Sequence, residues 1–588
     1  MAPPRPLPES LLAALGAVGL AVGLTWPTVL SPNSVLLGHP GNDTWNHAWG
    51  YWWVAEELAA GRWPLQTALL AFPRGGALYF IDTVQAVAVA PITWAVGPAA
   101  AFNLVMGVGL AVSAFGAYLL GRRVTGDAGA AAVAAVVYGA SPHLLGQAYN
   151  GISETVCAGF FPLTLWALLR VLDRPSWGRG LALGLLAGVC GLTSWYYGLM
   201  TAIAGLTLLA HAALRQGASL AWKQSVAALV GALVLAGAMV APGLLAFRTS
   251  LDAENALVSR DPQFVWSSLL NHNITDAVAF FAPGDTLRPD LFALYGEELV
   301  IVIYLGWAAL LSAGLALWLS RRRSEHGPWV WVGAIFGLLS LGPYLYAGGR
   351  YLELGGQRIP LPFLLLFEGL PLFDRISHPF RLVTGLMLAL SLLSAAGVRH
   401  LLRSRPAPQR LVLGLAAAGL VMGEVTLASP ARTPVPSSVA AIPAIYSELR
   451  TDPAPGAVLD LPLTVPNLER AVYVWYQTVH GRPLPWGLND PMPELLLKNR
   501  LTTTLIRLEA SRSWTLPPRL PELDLVVAGR ALSRQGFRYV IVHERLYPEF
   551  KRQAVRAVLD GVLGAPRLVA EEGLAVYTLP DLSIGASP

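Results

Sequence analysis

The residues best suited to chemistry are three acids and a histidine in the first third of the chain. Asp43 lies in His39-Pro-Gly-Asn-Asp-Thr-Trp-Asn-His-Ala-Trp-Gly-Tyr-Trp-Trp53, shortly after the first apolar segment. Trp45, Trp49, Trp52 and Trp53 surround it, and indoles suit the membrane–water boundary. An ionisable group this close to a bilayer is costly unless it has a function. A carboxylate in an aromatic, half-wet setting can take a proton from a hydroxyl, so Asp43 reads as a general base facing a lipid-linked substrate. Asp43 also opens a helical run and can serve as its N-cap. His47 follows four residues later on the same helix face. It pairs with Asp43, touches an acceptor, or sits at the interface as a plain histidine. Asp82, in Tyr79-Phe-Ile-Asp-Thr83, and Glu154, in Tyr149-Asn-Gly-Ile-Ser-Glu154, border apolar stretches. Each is a candidate second acid for a metal or an acceptor, or a loop cap. A metal here would be hard and oxygen-ligated, such as Mg²⁺ or Mn²⁺, but the sequence does not require one.

The elements that must position these groups are membrane helices. Of 588 residues, 54% are hydrophobic and only 13% charged, against about 25% charged in soluble domains. Mean hydropathy is +0.52. Long apolar runs recur from residue 10 to 428, after which the texture turns mixed and polar. Spans are expected near 10–30, 101–121, 128–147, 154–171, 180–195, 197–214, 224–247, 298–319, 328–346, 382–401 and 410–429, about eleven helices of roughly 20 residues. The first is read as uncleaved, because no small-residue cleavage site follows it. Cys157 and Cys190 lie in apolar segments and read as small packing residues. The net charge of +5 comes without a basic run interleaved with aromatics, which argues against nucleic acid.

The basic loops fix an orientation. Arg122-Arg123, Arg170 to Arg179, Arg215 with Lys223, Arg321-Arg322-Arg323 and Arg399 to Arg410 fall on one side. The positive-inside rule makes that side cytoplasmic. The N-terminus is then cytoplasmic, and the loops 31–100, 248–297 and 347–381 are outside with everything from 430 on. Residues 84–99 are apolar but short and carry Pro91 and Pro98. Counting them as a span would flip every later basic loop, so they are expected to form an interfacial or re-entrant helix. Beyond 430, Ala457-Val-Leu-Asp-Leu-Pro-Leu463 and Arg538-Tyr-Val-Ile-Val-His543 read as buried strands, 548–564 as an amphipathic helix and Leu574-Ala-Val-Tyr-Thr-Leu579 as a last strand. The chain thus divides into a helical membrane domain, 1–429, and a small extracytoplasmic α/β domain, 430–588.

This layout resembles the GT-C superfamily of integral-membrane glycosyltransferases, in particular protein-mannosyltransferase-like and bacterial members. The resemblance rests on Gly41-Asn-Asp43 in a long first outer loop. It rests also on Pro91-Ile-Thr-Trp-Ala-Val-Gly-Pro98 with Phe102-Asn-Leu and Leu119-Leu-Gly-Arg-Arg123, and on Ser141-Pro-His143 with Phe161-Pro-Leu163. It covers roughly residues 10–250. It implies a sugar taken from a polyprenyl-phosphate carrier at the outer face of a bacterial cytoplasmic membrane, with inversion, and an acidic residue of the first loop, here Asp43, in catalysis. Many members carry paired acids in that loop; here Asn42 precedes Asp43, which puts a metal dyad within it in doubt. The leaving phosphate would want arginine. Arg375, His378 and Arg381, in Phe373-Asp-Arg-Ile-Ser-His-Pro-Phe-Arg381, precede a span where a lipid headgroup would lie, and Arg74 in Phe72-Pro-Arg-Gly-Gly76 is a weaker candidate. Interfacial anchoring explains such arginines equally well. The acceptor is a glycan, a lipid or a protein. The loop 248–297, with Asp261, His272, Asp276, Asp285 and Asp290, is long enough to cover an active site.

Two other classes compete. A transporter or flippase of lipid-linked sugars would show internal repeats and charges at mid-membrane; no clear repeat is visible, and the acids cluster at one interface. A non-catalytic envelope scaffold is kept open by the large C-terminal region.

Overall fold

The computed structural model describes residues 8–216, 220–257, 262–283, 301–319, 326–370, 373–465, 467–488, 492–511, 522–569 and 572–580. Asp261, Asp285, Asp290 and Arg321 to Arg323 lie outside the described residues. Seven described helices are long and apolar enough to cross a membrane: Pro98–Thr125, Ala128–Tyr149, Ser153–Asp173, Trp195–Leu214, Lys223–Asp252, Pro379–Leu401 and Ala407–Ala428. Shorter apolar helices run over Glu9–Leu24, Thr83–Val96, Trp177–Thr193, Trp307–Leu319 and Gly327–Ser340.

Small residues let these helices approach closely, as expected where lipid offers no hydrophobic driving force between them. A Cβ on Gly414 would fall 2.5 Å from the Gly129 backbone, so the 407–428 and 128–139 helices touch through glycine. Local signals set the helix ends. Gly126 closes Pro98–Thr125 at φ 68°, and the Asp127 carboxylate accepts from Ala130 N–H at 3.0 Å to cap the next helix.

Ion pairs gather the helix ends on one side. Arg122 Nε meets Glu9 Oε1 at 2.6 Å, Arg410 Nε meets Asp127 Oδ2 at 2.6 Å, and Arg123 pairs with Asp173. The opposite end carries the acids singled out above. The Thr83–Val96 helix keeps to that end: it starts at Asp82 and hands over at Gly97 to the next helix. The first turns of that next helix place Asn103 against Leu37, whose N–H donates to Asn103 Oδ1 at 2.8 Å.

Residues beyond 430 carry a four-stranded sheet in the order Arg567–Val569, Leu574–Thr578, Phe537–His543, Ala457–Leu461. Phe537–His543 runs parallel to Ala457–Leu461 and antiparallel to Leu574–Thr578. This region grips the first long loop. Val35–Leu37 pairs with Ser437–Val439, Phe72 N–H donates to Leu484 O at 3.0 Å, and Leu484 N–H donates to Leu69 O at 2.8 Å. Of the tryptophans expected at the lipid boundary, Trp45 and Trp49 are instead inside this contact. Trp49 and Trp53 are fully buried and stacked at 5.6 Å, and Trp49 Nε1 donates to Gln477 Oε1 at 2.7 Å. Trp45 is buried against Trp475, and Trp52 is partly buried. Indoles and their N–H groups serve tertiary packing as readily as an interface.

Candidate functional site

The site is built by three segments that meet at one end of the helices. The first is the start of helix Thr44–Ala59. Asp43 occupies the N-cap position, but its φ and ψ are helical and its side chain makes no capping bond. Asp43 and His47 both line a cleft of about 280 Å³, as one helix face requires. Asn46 Nδ2 donates to Asp43 Oδ1 at 3.4 Å.

The second segment is the turn before helix Thr83–Val96. Its Asp82 is fully buried and hydrogen-bonded to His47 Nδ1. The third is the loop 150–156. Gly151 stands at φ 72°, where a Cβ would fall 2.6 Å from Thr44 Cα, so glycine lets this loop close on the first helix. Asn42 Nδ2 donates to Asn150 Oδ1 at 3.1 Å and ties the two together. Ser153 Oγ donates to Asp82 Oδ2 at 2.7 Å and lies 3.3 Å from His47 Nδ1. Burial opposes a charged His47, but Asp82 outweighs it, with Asp43 and Glu154 adding to the pull, so the imidazole holds its proton above the ordinary histidine range.

Glu154 Oε1 accepts from Arg381 Nη1 at 2.7 Å. This pair is almost wholly buried, with side-chain exposures of 12% for Arg381 and 3% for Glu154. Arg381 also lies over the Tyr196 ring, 5.3 Å from its centre. Among the described residues, Arg381 Nε and Glu154 Oε2 have no partner, and buried polar atoms normally find one.

Arg375 and Ser377 stand on the cleft wall. His378 does not line it; its Nδ1 is hydrogen-bonded to Ser377 Oγ at 2.8 Å and its ring meets Phe380 edge-on at 5.6 Å. Arg74 is exposed in a turn whose residues are absent from the cleft wall. Of the described part of 248–297, Leu251 and Val265 reach the cleft. His272 instead pairs with Asn273, and Asp276 caps Ala277–Phe280 while accepting from Gly349 N–H at 2.8 Å. The rest of the wall is apolar or aromatic, with Tyr79, Trp195 and Phe247 mutually packed at 5.3–6.2 Å. Trp195 and Phe247 belong to two of the long apolar helices, so the cleft runs along helices fit to face lipid.

Sequence reasoning missed Ser153, Asn46 and Ser377. Each adjoins or shares a motif with a flagged residue, and that adjacency was the available signal. Among the described residues, no three His, Cys, Asp or Glu side chains converge as a metal cluster. A hard divalent ion would therefore need oxygens from a bound phosphate as well as protein carboxylates.

A protein-family profile described as a 6-pyruvoyl-tetrahydropterin synthase related domain, a membrane protein, matches residues 87–281. An alpha-(1->3)-arabinofuranosyltransferase of Mycobacterium tuberculosis is 32% identical over 187 residues, covering 29% of this chain and 12% of that protein. Among solved structures, the mycobacterial arabinofuranosyltransferase AftD covers 97% of this chain and 40% of its own length, at 15% identity and a TM-score of 0.55. The oligosaccharyltransferase AglB of Archaeoglobus fulgidus, solved with an inhibitory peptide and a dolichol-phosphate, covers 94% of this chain and 71% of its own, at 12% identity and a TM-score of 0.50. The chain thus spans less than half the length of the arabinofuranosyltransferases it matches. These relatives are membrane glycosyltransferases of the GT-C superfamily, the group the sequence resembles, and the chain shares their fold.

Proposed function

We propose that the chain is a multi-pass membrane glycosyltransferase that moves a sugar from a polyprenyl-phosphate donor to an acceptor at the outer face of a bacterial cytoplasmic membrane, with inversion. The observation that carries this reading is the cleft itself: a carboxylate, Asp43, and a guanidinium, Arg375, share one wall with the apolar rings of Tyr79, Trp195 and Phe247. On this reading about eleven helices cross the membrane, and the C-terminal sheet forms an extracytoplasmic α/β domain. The basic helix ends, where Arg122 and Arg410 are ion-paired, are cytoplasmic.

Asp43 takes the proton of the acceptor hydroxyl as its oxygen attacks the anomeric carbon. The bond from that carbon to the phosphate oxygen breaks, and the polyprenyl phosphate leaves with its charge against Arg375. The carrier chain lies along Trp195 and Phe247. His47, held by Asp82 through Nδ1, offers its other ring nitrogen to the substrate. Glu154 and Arg381 hold the loop 150–156 and the 373–381 segment together, so that Ser153 and Arg375 keep their positions. Mg²⁺ or Mn²⁺ would take the Asp43 carboxylate together with donor phosphate oxygens and add positive charge there; a chelator titration of the transfer assay measures that dependence.

The test is transfer of radiolabelled sugar from a panel of polyprenyl-phosphate sugars by membranes carrying the full chain. Label reaching a glycan, lipid or protein product, absent from control membranes, is expected. Movement of intact donor across the bilayer without bond cleavage would overturn the reading in favour of a flippase. Neither transfer nor movement, with purified acceptors of all three classes added, would favour a scaffold.

A further inference from the structure

A second cavity, of about 550 Å³, shares no lining residue with the cleft. The stretch 39–47 walls both. His39, Pro40, Gly41 and Trp45 face the second cavity, while Asp43, Asn46 and His47 face the cleft. Across from this stretch stand residues of the C-terminal region, chief among them Tyr473, Tyr476 and His543. We propose that this cavity binds the saccharide chain that accepts the transferred sugar. That it binds a saccharide stands on the cavity alone; that the saccharide is the acceptor rests on the function proposed above.

The chemistry of the wall selects the ligand. His543 lies 5.1 Å from Tyr473 at 24° and 5.7 Å from Tyr476 at 19°, while the two tyrosines are tilted 42° to each other at 6.4 Å, so the three rings form a concave aromatic wall bridged by the imidazole. The C–H face of a sugar ring packs on such a surface. Behind it, His543 Nε2 meets Asp460 Oδ1 at 3.0 Å and Tyr446 Oη at 3.1 Å, which fixes the imidazole plane.

Sugar hydroxyls pair with planar carboxylates and guanidinium groups, and Glu469, Glu572 and Arg545 line the same cavity. Glu572 accepts from Ala444 N–H through Oε1, while its buried Oε2 has no partner among the described residues. A hydroxyl donor would satisfy it. Gly573 stands at φ 66°, where a Cβ would fall 2.7 Å from Arg545 Nε, so glycine there lets the guanidinium lie across the turn. Two carboxylates against one guanidinium oppose an anionic ligand, and three charged groups oppose an acyl chain. The volume falls within the ~300–1,000 Å³ of small-ligand clefts.

The test is direct binding, without donor, of neutral oligosaccharides of two to six pentose or hexose units to the full chain in nanodiscs. Saturation-transfer NMR and intrinsic tryptophan fluorescence are the readouts. At least one oligosaccharide is expected to bind the wild type. Tyr476→Ala and Glu572→Gln should weaken it about tenfold or more, and Tyr476→Phe, which keeps the ring, should restore it. A thermal melt unchanged from wild type guards against misfolding, and the tyrosine-to-phenylalanine rescue remains informative if the alanine variant melts early. Failure of every oligosaccharide to bind, equal binding by all variants, or preference for a peptide or a phospholipid would overturn the proposal. Because no donor is present, a protein that binds saccharide but never transfers sugar would refute the function proposed above and leave this site standing.

Discussion

Among the described residues, two buried aspartate–histidine pairs each have a hydroxyl partner and each stand at the wall of a cavity. His47 pairs with Asp82 and Ser153, at the end of the membrane helices. His543 pairs with Asp460 and Tyr446, on the C-terminal sheet. Their surroundings differ in what they offer a ligand. Beside His47 lie a carboxylate in the cleft, Asp43, and a buried ion pair, Glu154 with Arg381. Beside His543 lie the faces of Tyr473 and Tyr476. The same pair thus serves two ends. In the first setting it makes an imidazole hold its proton more tightly next to acids, at the cleft proposed for transfer. In the second it pins a ring so that an aromatic wall keeps its shape. An aspartate–histidine contact by itself does not mark a catalytic centre; its neighbours decide.

The largest expected effect breaks the first region alone. Arg381→Ala leaves Glu154 buried without its counter-charge and is expected to destabilise the protein by roughly 3–5 kcal/mol, read as thermal unfolding in detergent. The double change Arg381→Met with Glu154→Leu removes both charges and should recover most of that loss. Next, His47→Gln should lower kcat by about a hundredfold, whereas His543→Gln should act through the acceptor KM, by about tenfold; equal kcat losses would erase the distinction drawn between the pairs. Arg375→Ala should raise the donor KM about tenfold with a smaller change in kcat, measured with a soluble short-chain donor.

The smallest effect is in pH and has opposite signs in the two regions. His480, buried against Tyr446 near the second pair, has its pKa pushed down to about 3 by burial and by Arg482. The folded state therefore favours the neutral ring. Its contribution is intact above the ordinary histidine pKa, near 6.5, and is lost as pH falls from there toward 3. His47 is shifted upward, so its contribution is complete below about 6.5 and is lost as pH rises through its raised value. His480→Gln should flatten the acid side of a plot of melting temperature against pH, and His47→Gln the neutral-to-alkaline side.

Much of the candidate site was legible as separate residues and little of it as a constellation. Asp43 and His47 share a face by helical spacing, which any sequence displays. Asp82 and Glu154 stood out because acids beside apolar stretches are rare. Their partners were not visible: His47 and Asp82 are 35 residues apart, and Glu154 and Arg381 are 227 apart. Only tertiary packing settles such contacts. The apolar segments announced the helices by length and composition. The Trp-rich stretch misled, because indoles at a lipid boundary and indoles under a docked domain have the same sequence pattern until Gln477 and Trp475 are seen against them. Arg74 and His378 were chosen for charge and neighbourhood, and spacing alone does not say which way a loop turns its side chains. The second cavity was hidden for the same reason as the distant pairs, since its walls come from residues 39–45 and from beyond 440.

The most direct test of the central claim compares wild type and Asp43→Asn for sugar transfer from a polyprenyl-phosphate donor that the wild type uses, with thermal unfolding measured on both. Transfer by the variant should fall at least about a hundredfold at unchanged melting temperature. Transfer at the wild-type rate would contradict the claim and move the base elsewhere.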